Sequence, residues 1–152
     1  MYFATVILLL FIFPATSVAI SAHLNPNVSI LVLIGRWFTF WAVGVRLFIA
    51  GVRQVAQPEF TAHEIFQIPG KTALPIVREL GFANLSMGLL GLLILVRPDW
   101  TVPAAIVGGL YYGLAGAGHI GRRDKNAKER TALFSDVFVF LILAAFLVKT
   151  LF

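Results

Sequence analysis

The sequence predicts an all-α, polytopic membrane protein with five transmembrane helices, and three observations predict it. Hydrophobic residues fill 59% of the 152 positions and charged residues only 12%, about half the charged share of a soluble domain. Mean hydropathy is +0.91. The apolar residues also gather into runs of about 20, the length an α-helix needs to cross a hydrocarbon core of about 30 Å. A chain of this composition cannot cover its surface with polar groups in water, so its solvent is lipid. One integral membrane domain over 1–152 is expected, with no soluble domain, linker, low-complexity stretch or clear repeat left over.

The first span, 2–20, contains Pro14 and runs into a polar break from Ser21 to Asn27. Small residues near its end (Ala15, Ser17, Ala19, Ser21, Ala22) make a signal peptide the rival reading, but the run lacks a basic start, so a retained helix is expected. The second span, 28–54, has Asn25 or Asn27 as its cap and stops before Pro58. Its length of about 40 Å makes it tilt or protrude. Arg36-Trp37 and Arg53-Gln54 mark its ends, with Trp37, Phe38, Phe40 and Trp41 near one interface. Segment 55–72 carries Glu59, His63, Glu64 and Lys71 and reads as a loop, with Phe60, Ile65, Phe66 and Ile68 resting on the membrane surface. The third span, 73–96, stops at Arg97-Pro98-Asp99. Trp100 anchors the fourth, 100–120, which tolerates Pro103 in its first turn. The fifth, 131–152, lets Lys149 snorkel outward and leaves no room for a C-terminal domain.

Twelve Lys plus Arg against seven Asp plus Glu give a net charge of +5. Arg122, Arg123, Lys125, Lys128 and Arg130 crowd into one loop that holds no aromatic residue, which points to the positive-inside rule and away from nucleic acid. Together with Arg53, Lys71 and Arg78 they outnumber Arg36, Arg97 and Lys149 on the opposite side. The expected location is the cell membrane, multi-pass, with a cytoplasmic N-terminus and an extracytoplasmic C-terminus.

Much chemistry is excluded by residue supply. The absence of Cys removes disulfides, iron–sulfur ligation and thiol catalysis. His23, His63 and His119 lack metal-ligand spacing, so no metal site is expected, and neither a Walker motif nor GxSxG occurs. The adjacent His63-Glu64 pair reads as solvated. What remains is a set of polar residues within the spans, Arg46, Glu79, Asn84, Tyr112, His119 and Asp136. A charge at the bilayer centre costs about 2.5–3.5 kcal/mol even on lenient insertion scales, so these groups should face one another. They form either a ligand pocket, internal pairs that fix helix register, or a proton or ion path. Arg46, Glu79 and Asp136 lie at similar depths of roughly 8–10 Å from the cytoplasmic interface. An Arg46–Glu79 pair is therefore expected, with Asp136 and His119 completing the cluster. Tyr111-Tyr112 with Trp41 could stack on a quinone or haem ring, although aromatics in such helices usually pack or anchor.

Ala105, Gly109, Gly113, Ala117 and Gly121 recur at every fourth position of the fourth span. Small side chains let backbones approach in lipid, so this face is expected to pack within the subunit or to form a homo-oligomer seam. Gly88 and Gly91 of the third span offer a complementary groove.

Arg46-Leu47-Phe48-Ile49-Ala50-Gly51 closing one helix, then a Pro-containing loop, then Arg78-Glu79-Leu80-Gly81-Phe82-Ala83-Asn84-Leu85-Ser86-Met87-Gly88, resembles the pattern of DoxX-like small membrane proteins. Gly118-His119-Ile120 and Ser135-Asp136 are similar to an uncharacterised bacterial branch of that superfamily. The likeness covers about residues 37–150. It implies a four-helix transmembrane bundle with the first helix as an N-terminal addition. The wider group includes a thiosulfate–quinone oxidoreductase subunit, assembly chaperones and cargo receptors, which implies accessory or ligand-binding roles. The expected function is a noncatalytic membrane protein that binds a lipid-like ligand or a partner membrane subunit through the polar pocket. The alternative is a membrane component of a quinone-linked oxidoreductase, with quinone as its cofactor.

Overall fold

The computed structural model describes residues 2–120 and 125–152. Gly121, Arg122 and Arg123, assigned above to the small-residue face and the basic loop, lie outside the described residues. The described chain is helical, with no strand among these residues. Four helices are long and apolar enough to cross a membrane: α1 (Tyr2–Leu24), α2 (Ile30–Ala56), α3 (Leu74–Leu93) and α5 (Ala127–Leu151). Between α3 and α5 lies α4 (Thr101–Ile120), as long as α3, with glycines and two tyrosines filling much of it. Ile76 and Phe134 are 72% and 73% exposed, an arrangement water would penalise and lipid does not. The chain is a multi-pass membrane protein.

The helix ends depart from the expected ones for local reasons. Ser21, Ala22 and His23 form the last turn of α1, and the Asn25 amide donates to the Ser21 carbonyl at 3.1 Å. Asn25 therefore closes α1, and Ser29 precedes α2. At the other extreme α5 begins one turn early, because the Asn126 side chain accepts from the Glu129 N–H at 2.8 Å and caps it.

Two helices contain widened π-helical turns. Leu8–Ile12 in α1 directly precedes Pro14, whose ring would otherwise strike the carbonyl four residues back. The second, Thr39–Arg46, lies in the middle of α2 and ends on Arg46.

Helix α2 is the hub, in contact with each of the other four. Its Phe38, Ala42, Val43 and Leu47 meet Leu10 of α1, Tyr112 of α4 and Val139 and Leu143 of α5 in one buried core. Lipid is as apolar as these side chains, so close packing rather than water exclusion holds the helices together. The closest approach is between α2 and α3. A Cβ on Gly44 would lie 2.9 Å from the Gly91 carbonyl carbon, and one on Gly51 would lie 2.7 Å from the Leu85 nitrogen. Gly88 and Gly91 thus serve α2, and not α4 as expected.

The expected small-residue face of α4 holds in part. Ala105 is fully buried, and Gly109 and Gly113 pack on Leu143 and Phe140 of α5. Ala117 is exposed. An α-helix repeats every 3.6 residues, so a strict four-residue stripe drifts off the buried face, which continues instead through Tyr112, Gly116 and His119.

Trp37 and Trp41 also depart from a plain interface role. Their indole N–H groups donate to Ser21 and Ser17 of α1, at 2.7 and 3.0 Å, while Phe38 is buried in the core.

Candidate functional site

A partly open cavity of about 260 Å³ lies beside α2, lined from all five helices and from the segment after α2. Five of the six expected polar residues line it: Arg46, Asn84, Tyr112, His119 and Asp136. Arg46 comes from the last π-helical position of α2, and Ala50 and Arg53, four and seven residues on, continue the same wall.

The inner end is built around one ion pair. Arg46 donates from both terminal nitrogens to Asp136 Oδ1 at 3.2 Å, and from Nη2 to the Ser135 hydroxyl at 3.0 Å. The two charged side chains are only 16% and 9% exposed, which makes their mutual neutralisation a condition for burying either. The Arg46 guanidinium also lies 5.3 Å from the centre of the Tyr112 ring. The Tyr112 hydroxyl donates to the Ala42 carbonyl at 2.6 Å, inside the widened turn of α2. A second polar pair lies on α2 and α3, where Asn84 Nδ2 donates to Gln54 Oε1 at 2.7 Å.

The expected pairing of Arg46 with Glu79 is wrong. The register of α3 on α2, with Gly44 against Gly91, Phe48 against Gly88 and Gly51 against Gly81, sets Glu79 well along α3 from the level of Arg46, and direction around the helix turns it away as well. Helix α3 buries Leu74, Val77, Gly81, Asn84, Gly88 and Gly91, an alternating three-and-four spacing that turns one stripe inward. Glu79 falls between Val77 and Gly81 on the outward side and is exposed. His119 is also outside the Arg46 pair: its Nδ1 lies 3.1 Å from Glu129 Oε1, at the first turn of α5, and Glu129 is fully buried.

The segment after α2 closes over the outer end of the cavity. Its π-helical turn Phe60–Ile65 places Phe60, Thr61 and Ile65 on the cavity, and Phe66 stacks on the His119 ring at 6.0 Å. Phe60, Ile65, Phe66 and Ile68 were expected on the membrane surface; of the four only Ile68 is exposed, at 42%. Phe60 is gripped by cations: the Arg53 guanidinium lies 3.4 Å from its ring centre and the Lys128 ammonium 5.4 Å. Lys128 also pairs with Glu64, and Asn126 donates to the Glu64 carbonyl at 2.9 Å. That ammonium holds the Glu64 carboxyl below its ordinary pKa. His63, the neighbour of Glu64, contacts the Gly70 carbonyl at 2.9 Å and takes no part in the pair.

Gln54, Ser135 and Glu129 were missed as site residues, and Tyr111, expected only as a stacking ring, lines the cavity. Glu129 carried a readable signal, since Asn126 followed three residues later by Glu is a helix-start pattern. Trp41, by contrast, does not line the cavity, so the expected trio with Tyr111 and Tyr112 is split. No cluster suited to a metal ion occurs among the described residues.

The cavity has apolar walls, a neutralised polar inner end and a tethered cover, and it defines the chain as a membrane helix bundle with an internal chamber. The chain belongs to a family of unknown function, DUF6790, whose model matches residues 1–151. No curated protein and no solved structure matches it. The family match carries no link to DoxX-like proteins.

Proposed function

We propose that this protein is a noncatalytic membrane protein that binds a lipid-like molecule in the chamber beside α2. The observation that carries the reading is the chamber itself: about 260 Å³, walled in good part by Val6, Leu9, Leu47 and Leu80, with polar groups such as Arg46, Asn84, His119 and Asp136 set among them. Amphiphiles require that combination, and pockets of this kind use a few placed polar groups to fix orientation. We place α4 across the membrane as a fifth span, since its 20 residues carry no Asp, Glu, Lys or Arg. The N-terminus is then cytoplasmic and the C-terminus outside, with the covered end of the chamber on the cytoplasmic side. The DoxX-like motif resemblance agrees with an accessory or ligand-binding role. A partner membrane subunit remains a proposal of the same kind, with Ala117 and the outer face of α3 as its surface.

Native mass spectrometry of the protein, purified in a mild detergent and released in the gas phase, tests the reading. One lipid per chain, lost when Leu47→Trp fills the chamber, is the expected result. Copurifying quinone would instead support the redox alternative, and an empty chain from lipid-rich membranes would sink both.

A further inference from the structure

Two residues of the chamber wall hold their hydrogen bonds unevenly. Asp136 takes every one of its described hydrogen bonds on Oδ1, from Arg46 and Ser135. Its Oδ2 accepts from no described residue. Asn84 is 1% exposed, and its amide nitrogen donates to Gln54 while its Oδ1 accepts from no described residue. Both residues line the chamber. The chamber therefore offers two acceptor oxygens that no described hydrogen bond fills, and one of them belongs to the carboxylate that cancels the Arg46 charge.

We infer that the chamber selects a lipid alcohol: an amphiphile with an uncharged head that donates a hydrogen bond. This rests on the lipid-binding reading above. A phosphate or carboxylate head brings negative charge next to Asp136 and no proton for either acceptor. A quinone carbonyl or an ether brings an acceptor only, which leaves the buried oxygens as they are. An ammonium adds a charge that nothing at the inner end balances. A hydroxyl gives its proton to Asp136 Oδ2 while accepting from Arg46, or gives it to Asn84 Oδ1 farther along the wall, so one group can serve both kinds of partner. The apolar walls then take the chain.

A head series at constant tail tests this. The full chain, in phosphatidylcholine nanodiscs, is titrated with oleyl alcohol, methyl oleyl ether and oleyl phosphate, with affinity expressed as mole fraction in the bilayer so that partitioning cancels. The expected result is one oleyl alcohol per chain, bound about tenfold more tightly than the ether or the phosphate. Ether or phosphate binding as tightly as the alcohol overturns the choice of head and leaves the lipid-binding reading standing. Saturable binding of none of the three overturns both. The series on the wild-type chain decides the proposal alone. In a folded Asn84→Leu chain the gap between alcohol and ether should narrow, and an unchanged gap removes Asn84 as the acceptor.

Discussion

The hydroxyl of Tyr112 on α4 donates to the carbonyl of Ala42 on α2 at 2.6 Å, and both groups are buried. The widened turn Thr39–Arg46 breaks the regular α-helical pairing of carbonyls, and α4 supplies a donor from outside the helix. Tyr112→Phe keeps the ring and removes only that donor. It should lower stability by about 1 kcal/mol, read as a reduced Tm in detergent. A Tm equal to wild type would show that the turn needs no outside donor.

Arg46 and Asp136 should behave as a unit. Asp136→Leu leaves the guanidinium buried without its carboxylate and should cost about 3 kcal/mol. Arg46→Met combined with Asp136→Leu should cost less than the sum of the single changes by at least about 1 kcal/mol. Glu79→Gln, on the exposed side of α3, should stay within about 0.5 kcal/mol of wild type. Additive losses at Arg46 and Asp136 would refute the pairing.

The glycines of α3 should tolerate less than the small residues of α4. Any Cβ at Gly91 meets the backbone of Gly44, which cannot move aside without separating two helices. Gly91→Leu should prevent a stable fold. Gly113→Leu meets the rim of the Phe140 ring, which can turn, and should give a folded but weakened protein. Ala117→Leu should leave subunit stability unchanged, and a change in oligomeric state on size-exclusion chromatography would place Ala117 at a subunit contact.

The Glu64–Lys128 pair should hold the cover in a pH-dependent way. Glu64 has its pKa lowered in the folded chain, chiefly by the hydrogen bond from Lys128. Its contribution is therefore complete above the ordinary glutamate pKa and is lost as pH falls through the lowered value. Protease susceptibility of segment 57–72 should rise on acidification through that window in wild type. In Lys128→Met it should be high and flat across the same range. Identical pH profiles for the two proteins would show that the cover is held by Phe60 and Phe66 alone.

Reporter fusions address the orientation: a fusion after Phe152 should be extracytoplasmic and an insertion at Lys125 cytoplasmic. Signals from one side only would remove the five-span model.

Composition and apolar run length were enough to read the helices, because a membrane solvent imposes a length and a polarity that few other folds share. The polar set was legible for the same reason: an ionisable group in a span must be answered, and Arg46, Asn84, Tyr112, His119 and Asp136 all reach the chamber. The pairing was not legible from residue counts along each span, which fix neither the register of one helix on another nor the direction a side chain faces, and Glu79 misses Arg46 in both. The inward stripe of α3 from Leu74 to Gly91 held the direction in its three-and-four spacing. The cover was misread because Phe60 and Phe66 look alike whether they rest on lipid or on a protein chamber, and only the tertiary contacts with Arg53 and His119 separate the two.

Arg46 and Asp136 are separated by 90 positions, and that interval is also a delay. At a synthesis rate of about 5–20 residues per second, α2 leaves the ribosome roughly 5–20 s before the carboxylate that will neutralise it. The seam with α1 through Trp37, Trp41, Ser17 and Ser21 is complete by then, so an α1–α2 hairpin is the first unit able to form. Throughout that wait the guanidinium must snorkel, hold water or borrow an anionic headgroup. Arrival of α5 ends the loan, and biogenesis of this protein is therefore gated by its last helix.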